Sequence, residues 1–359
     1  MRTELIIIGV ALLASCAGTA PSQRFEARHD FTIDVPQGAN EVDAWFALPA
    51  DNDRYQDVEE LDWHVNAPAN VTWTTTEVRD SLDNRFLHLE AQGAGGAKIA
   101  VETSFTVVRR EAHVSVDPAD TRPLTDGERT KMAAHLASAQ HDAPTPAIEA
   151  DAKRIVGGEK NPVLQARLLY DWVLDHVQYW VKDPSKWKAS PVGSSSYCYE
   201  QCTGNCTDFH SLYVAAARTV GLPARMVYGS FFKGPLDGKP QDQSYHCWVE
   251  VWAPKIGWIP LDVAVADVFV ADFTLDDANR PKVELTTADG FAGPDQAMVD
   301  FYFGNLEARR VSWHLGRDLV LEGAATAKVN AIPKAHIEID GKPIEAAATT
   351  RMLTFREVR

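Results

Sequence analysis

Positive charge is scarce in this chain. Lys and Arg number 35 against 50 Asp and Glu, a formal net charge of −15. Nucleic-acid binding needs basic patches facing phosphates, so this balance argues against a nucleic-acid partner and against a polybasic membrane face. Long apolar runs are missing too. "LIIIGVALL", Leu5 to Leu13, is shorter than the about 20 residues that a spanning helix needs, and nothing after it reads as a transmembrane segment. Internal repeats and low-complexity tracts are absent. Cysteine is sparse at five residues, yet three of the five fall in one stretch, "CYEQCTGNCTDFH", Cys198 to His210. Hydrophobic content of 45% is ordinary for globular protein and allows large cores.

The short apolar run follows Arg2 and precedes small residues, the pattern of a signal peptide over residues 1–15. "LASC", Leu13 to Cys16, resembles the bacterial lipobox, in which the cysteine is lipidated and becomes the new N-terminus. Ordinary cleavage near Ala17, with Cys16 incidental, is the plainer alternative. The lipobox reading implies a membrane contact through a lipid anchor at Cys16. It places the mature chain in the cell envelope, where disulfides are permitted. Ala17 resembles an outer-membrane sorting signal, so the expected face is the periplasm.

Residues 16–24 are small and polar, as suits a tether. From 25 to 110, "FTIDV", "VDAWFALPA", "VTWTTTEV", "RFLHLEA" and "KIAVETSFTVVRR" alternate apolar with polar residues between Gly, Asn, Asp and Pro clusters, which predicts a β-sandwich domain. Period-two patterning identifies strands but not their order. Residues 111–150 read as a connector. A core follows over 151–275, opened by "NPVLQARLLYDWVLDHVQYW". There Leu164, Leu168, Trp172 and His176 recur at helical spacing, after a plausible Asn161 N-cap and Pro162 in the first turn. "TDFHSLYVAAARTVGLPAR" predicts a second helix stopping at Gly221. "YHCWVEVW" and "WIPLDVA" read as a hairpin. Residues 276–359 read as a β-rich C-terminal extension. The expected fold class is α+β.

The clustered cysteines admit three readings. As metal ligands, Cys198, Cys202 and Cys206 would share one helix face with His210. "TGN" between them is turn chemistry, however, and Gly inside a helix costs about 1 kcal/mol. Structural zinc also favours two separate close pairs. No metal and no cofactor is expected. As a nucleophile, Cys206 sits where the helix begins, and the positive end of the helix dipole favours a thiolate. Its own N–H would face a developing oxyanion. As a staple, Cys198 and Cys202 could pair across the loop that presents Cys206, although so short a loop gains little from chain entropy.

A thiol needs a base, and the base needs an orienting group. With a turn near Lys255, Trp252 faces Trp258 and Asp262 falls opposite Trp248. His246 is then the diagonal same-face neighbour of Asp262, about 7 Å away along the backbone. Cys247 points to the other face, where a buried core thiol is the simpler reading.

"GNCTDFHSLYVAAARTVGLPARMVYG", "HCWVEVW" and "GWIPLDVA", in this order, resemble the core of the transglutaminase-like superfamily over about 160–265. The resemblance implies a papain-like fold in which Cys206 is the nucleophile, His246 the base and Asp262 the orienting acid. The flanking sandwich and "YFGNLEARRVSWHLGRDL" resemble bacterial secreted members. No calcium arrangement matches, so calcium is not implied.

Around that triad, His210 is read as a supporting residue and Asp208 as a first-turn acid. Tyr179 or Trp180 could supply a second oxyanion donor or simply pack. Trp248 and Trp258 could wall a substrate groove or bury the hairpin, and Arg225 is read as structural. The chemistry expected is acyl transfer from an amide through a thioester, on a protein or peptide substrate. Hydrolysis is favoured, with amine cross-linking or a non-catalytic envelope scaffold as the rivals.

Overall fold

The computed structural model describes residues 21–240, 245–287, 290–332, 334–344 and 349–358. The leader and Cys16 lie outside the described residues. Strands β1 (Ser22–Asp34), β2 (Glu41–Ala47), β3 (Gln56–Asn66), β4 (Thr72–Arg79), β5 (Arg85–Gln92) and β6 (Lys98–Arg110) come first. Helices α1 (Pro146–Val156), α2 (Pro162–His176), α3 (Ser195–Gln201) and α4 (Cys206–Thr219) follow. Next come β7 (Ala224–Phe231), β8 (Tyr245–Ala253) and β9 (Gly257–Leu261), then α5 (Val263–Val268) and α6 (Arg280–Thr286). The chain closes with β10 (Arg310–Leu315), β11 (Ala335–Ile339) and β12 (Thr349–Val358). No helix among the described residues is long and apolar enough to cross a membrane. The fold is α+β.

Two sheets form the sandwich, in the orders β12-β1-β6-β3 and β11-β2-β5-β4. Phe31, Ile33, Ile99 and Val101 from the first face Val42, Ala44, Leu87 and Leu89 from the second. The alternation buries one face of each strand, as period two requires. The expectation of a separate C-terminal extension at 276–359 is corrected here. β12 runs antiparallel to β1 from Arg24↔Val358 to Ile33↔Thr349, and β11 pairs with β2. The reason is edge strands: β1 and β2 would each expose a row of unpaired backbone groups without these partners. The boundary expected at 150/151 also falls inside α1.

A third sheet has the order β9-β8-β7-β10, all antiparallel, and α4 packs on it. From Cys206 to Ala217 every residue of α4 is buried, as fits a helix with packing on all sides. It ends where Gly221 takes φ 80° and Leu222 N–H returns to Ala217 O at 2.9 Å. In α2 the buried stripe is Val163, Ala166, Leu169, Tyr170 and Val173, while Leu164 and Leu168 are 39% exposed. Of the i, i+4 row read from the sequence, Trp172 is buried but Leu164 and Leu168 lie beside the buried stripe. Two overlapping apolar rows on one helix cannot be ranked without its neighbour.

β10 joins the two halves. Trp313 meets Phe105 edge-on at 5.5 Å, and Phe355 of β12 stacks on Phe232 at 4.5 Å. Phe355→Ala is expected to lower stability by about 3–5 kcal/mol, read by urea unfolding. A loss below about 1 kcal/mol would mean that β12 contributes little to this core.

Candidate active site

Helix α4 starts on a reciprocal cap. Asn205 Oδ1 accepts from Asp208 N–H at 3.1 Å, and Asp208 Oδ2 accepts from Asn205 N–H at 2.9 Å. The Asp208 carboxylate also takes Ser190 N–H at 3.0 Å, Ser190 Oγ–H at 2.5 Å and Ser194 N–H at 2.7 Å. It thus ties the preceding loop to the helix end. Gly204 is required beside it, since a Cβ there would sit 2.3 Å from Asp208 Cβ. This fixes Cys206 in the first turn, where backbone N–H groups and the helix dipole favour negative charge.

His246 is the second residue of β8, and Asp262 follows β9 directly as the N-cap of α5. The hairpin pairs Trp252 with Trp258 and Val249 with Leu261, which carries Asp262 to the level of His246. Their contact is His246 Nε2 to Asp262 Oδ2 at 2.7 Å, so Nδ1 is the ring nitrogen left for Cys206. The imidazole stacks on Phe231 at 4.3 Å. Asp262 is 0% exposed. Its Oδ1 caps α5 by accepting from Val265 N–H at 2.9 Å, and Arg310 Nη1 donates to Oδ2. Arg310 Nε reaches Glu307 Oε2 at 3.0 Å, and Lys233 Nζ lies 3.6 Å from Glu307 Oε1. Charges therefore alternate in a buried row behind the site.

The electrostatics follow from this packing. Burial alone would raise the Asp262 carboxyl, but His246 and Arg310 outweigh it and hold it well below the usual carboxylate range. Burial disfavours a charged His246, yet Asp262 and then Cys206 overcome it and push it up to about 9. A hydrogen bond with Cys247 lowers the Cys206 thiol. Burial opposes that, and the charge of His246 lowers it further, leaving it well below the ordinary thiol value. Both shifts run in the direction that favours a thiolate–imidazolium pair.

Cys206 and His246 form the floor of a cavity of about 440 Å³. Trp180, Phe231, Tyr245, Leu285 and Lys282 of α6 line it with them.

Residues 149–263 match the family model described as the transglutaminase-like superfamily. This chain carries a transglutaminase-like core. A crystal structure from Cytophaga hutchinsonii, named as that of a candidate cysteine protease, shares the fold beyond the core. It covers 94% of this chain and 99% of its own, at 17% identity and a TM-score of 0.53. An uncharacterised protein of Haemophilus influenzae is 23% identical over 395 residues, spanning 95% of each chain. The periplasmic domain of TgpA from Pseudomonas aeruginosa is a looser neighbour, at 16% identity over 69% of this chain and 88% of that one, with a TM-score of 0.29.

In the transglutaminase-like core the other expected residues divide. Trp180 lines the cavity. Tyr179 lines it too, but its N–H is taken by Asp267 Oδ2 at 2.8 Å, so its backbone is no oxyanion donor. Trp248 is not a groove wall. It is 1% exposed, set two residues further into β8 on the face that turns toward Arg109 and Arg310. Gly229 makes room for it, since a Cβ there would lie 2.5 Å from Trp248 Cζ3. Trp258 is not a groove wall either. It lies at the far end of the hairpin under Arg225, whose guanidinium is 4.1 Å from its ring, and Arg225 itself pairs with Glu250 at 2.6 Å.

The Cys198–Cys202 disulfide is likewise corrected: both thiols are free. Cys198 is buried on α3, whereas Cys202 caps that helix at φ 52°. The left-handed turn swings its sulfur out toward His176, 3.8 Å away. His210 is fully buried, with Nδ1 3.4 Å from Cys247 Sγ and Nε2 3.4 Å from Asp262 Oδ1.

Arg310 is the residue that sequence reasoning missed. The available signal was the arginine pair Arg309 and Arg310 at the start of the strand pattern "RVSWHL". Removing one member of a buried ion pair costs about 3–5 kcal/mol, so Arg310→Met is expected to destabilise by that much in urea unfolding. A change below about 1 kcal/mol would show that Asp262 does not depend on this cation.

Proposed function

We propose that this protein is a cysteine-dependent amide hydrolase of the cell envelope, acting on a protein or peptide through a thioester. The observation that carries the reading is Cys206 at a helix N-terminus, lining one cavity with His246, whose imidazole is bonded to Asp262. In the first half-reaction the thiolate attacks the amide carbonyl carbon. The oxyanion forms beside the first-turn N–H groups of α4. His246 Nδ1–H protonates the leaving amine as the C–N bond breaks. In the second, His246 takes a proton from water, the hydroxide attacks the thioester, and carboxylate and thiolate are released.

An amine could replace water, which would make the enzyme a cross-linker. Lys282 among the cavity-lining residues disfavours that acceptor, because its charge repels an incoming ammonium group. Water is then the better competitor in a cleft open to solvent. The leader and Cys16 support an envelope location, with the lipid on Cys16 as the anchor.

Mass spectrometry of peptide libraries is expected to find cleavage products with wild-type protein and none with Cys206→Ala. Products that form only with an added amine would replace hydrolysis by cross-linking. Identical profiles for the two proteins would leave a non-catalytic envelope protein. The activity also has a defined alkaline limit. A raised His246 value means that the imidazolium persists below about 9 and is lost above it. kcat/KM is therefore expected to fall as pH rises through about 9, and a profile flat beyond that point would remove His246 as the proton donor.

A further inference from the structure

The cavity that holds Cys206 carries a charge with no counterpart. None of its described lining residues is acidic, and Lys282 is the only lysine or arginine among them. Cys206 and His246 add no net charge, whether the proton sits on the thiol or on the imidazole. One positive charge is therefore left unmatched in the cleft, in a chain whose formal net charge is −15.

Lysines elsewhere in the interior are matched. Lys182 and Lys233 are buried, and they face Asp267 at 2.9 Å and Glu307 at 3.6 Å. Lys282 is half-buried. Its Nζ has Ala278 O at 3.4 Å and lies 5.5 Å from the centre of the Trp180 ring, and among the described residues it forms no ion pair. One carbonyl does not exhaust the donors of an ammonium group. The backbone that presents it is tied down. Asn279 Nδ2 donates to Thr274 O at 2.7 Å and to Lys182 O at 2.8 Å, which fastens the start of α6 to the segment that carries Trp180. Val283, the next residue, is fully buried. Helix α6 lies beyond the matched residues 149–263, so this cation stands apart from the shared core.

We propose that Lys282 is a specificity-determining residue: it selects acyl donors that carry a carboxylate within a residue of the scissile amide. This inference rests on the reading of Cys206 as the nucleophile of an amide hydrolase. A lysine ammonium is a point charge and attracts an anion without demanding one orientation. Trp180, Phe231, Tyr245 and Leu285 surround it with apolar surface, where that attraction is screened less than in open water. A cavity of about 440 Å³ has room for only a side chain or two, so a carboxylate beside the reacting carbonyl stays close to the ammonium. The matching substrates are peptides with an acidic side chain, or a chain-end carboxylate, next to the bond that is cut.

The test is the second-order rate of Cys206 alkylation by three matched probes, with the modified site located by peptide mass spectrometry. N-iodoacetyl-glutamine amide is neutral, N-iodoacetyl-glutamate α-amide carries a side-chain carboxylate, and N-iodoacetyl-glutamine carries a chain-end carboxylate. Wild type is expected to react about five- to tenfold faster with one of the two acids than with the neutral probe. The acid that gains identifies which carboxylate the site takes. His246 can also draw anions, so the part that belongs to Lys282 is the part that Lys282→Met removes. The ratio is expected to fall severalfold in Lys282→Met, to persist in Lys282→Arg and to invert in Lys282→Glu. A wild-type ratio near one overturns the proposal, and so does a ratio that Lys282→Met leaves unchanged. Alkylation needs no turnover, so these ratios are read even if the peptide libraries yield no cleavage. A Cys206 inert to all three probes would remove the nucleophile reading and this proposal with it.

Discussion

A carboxylate with no exposure to water is the constraint around which this site is built. Burying a lone charge costs several kcal/mol even after relaxation, and Asp262 is tolerable only because three chain segments converge on it. His246 comes from β8, Arg310 from β10, and the Val265 N–H from the turn of helix that Asp262 itself caps. The same contacts orient the imidazole. The feature that makes Asp262 affordable in the interior is therefore the one that aims His246 at Cys206.

Arg310 carries that constraint outward. Its guanidinium lies between Phe231 and Tyr302 and reaches Glu307, which faces Lys233. β10, which bears it, also packs against the sandwich through Trp313, and residues beyond it supply β11 and β12 to the two sandwich sheets. The C-terminal third thus serves three places at once: the charge row behind the acid, the α6 side of the cavity, and the sandwich itself. Cys206, His246 and Asp262 all fall within the matched residues 149–263, but their setting comes from outside that stretch.

Local chemistry made much of the site legible. "GNCTD" announces a capped helix start, because Asn and Asp three residues apart satisfy each other's backbone groups. The hairpin register follows from one turn at Lys255 and strict alternation, which puts His246 and Asp262 on one face. The misreadings share a cause. Trp248 and Trp258 read as groove walls because aromatic residues near Cys206 suit a binding surface, but alternation gives a face and not what covers it. Leu164 and Leu168 belong to one of two apolar rows on α2, and only the neighbouring elements choose between them. Cys198 and Cys202 have a spacing that permits contact, and a single left-handed residue removes it.

The sequence by itself determined the place of Cys206 at a helix mouth, the hairpin that aligns His246 with Asp262, and the strand character of the first and last described stretches, because each depends on neighbours within a few residues. Tertiary structure alone decided that Arg310 neutralises Asp262, that the last strands complete the first sheets, and that the Cys247 sulfur turns toward α4. Those outcomes depend on which distant segments share a buried volume, and no local pattern of residues encodes that.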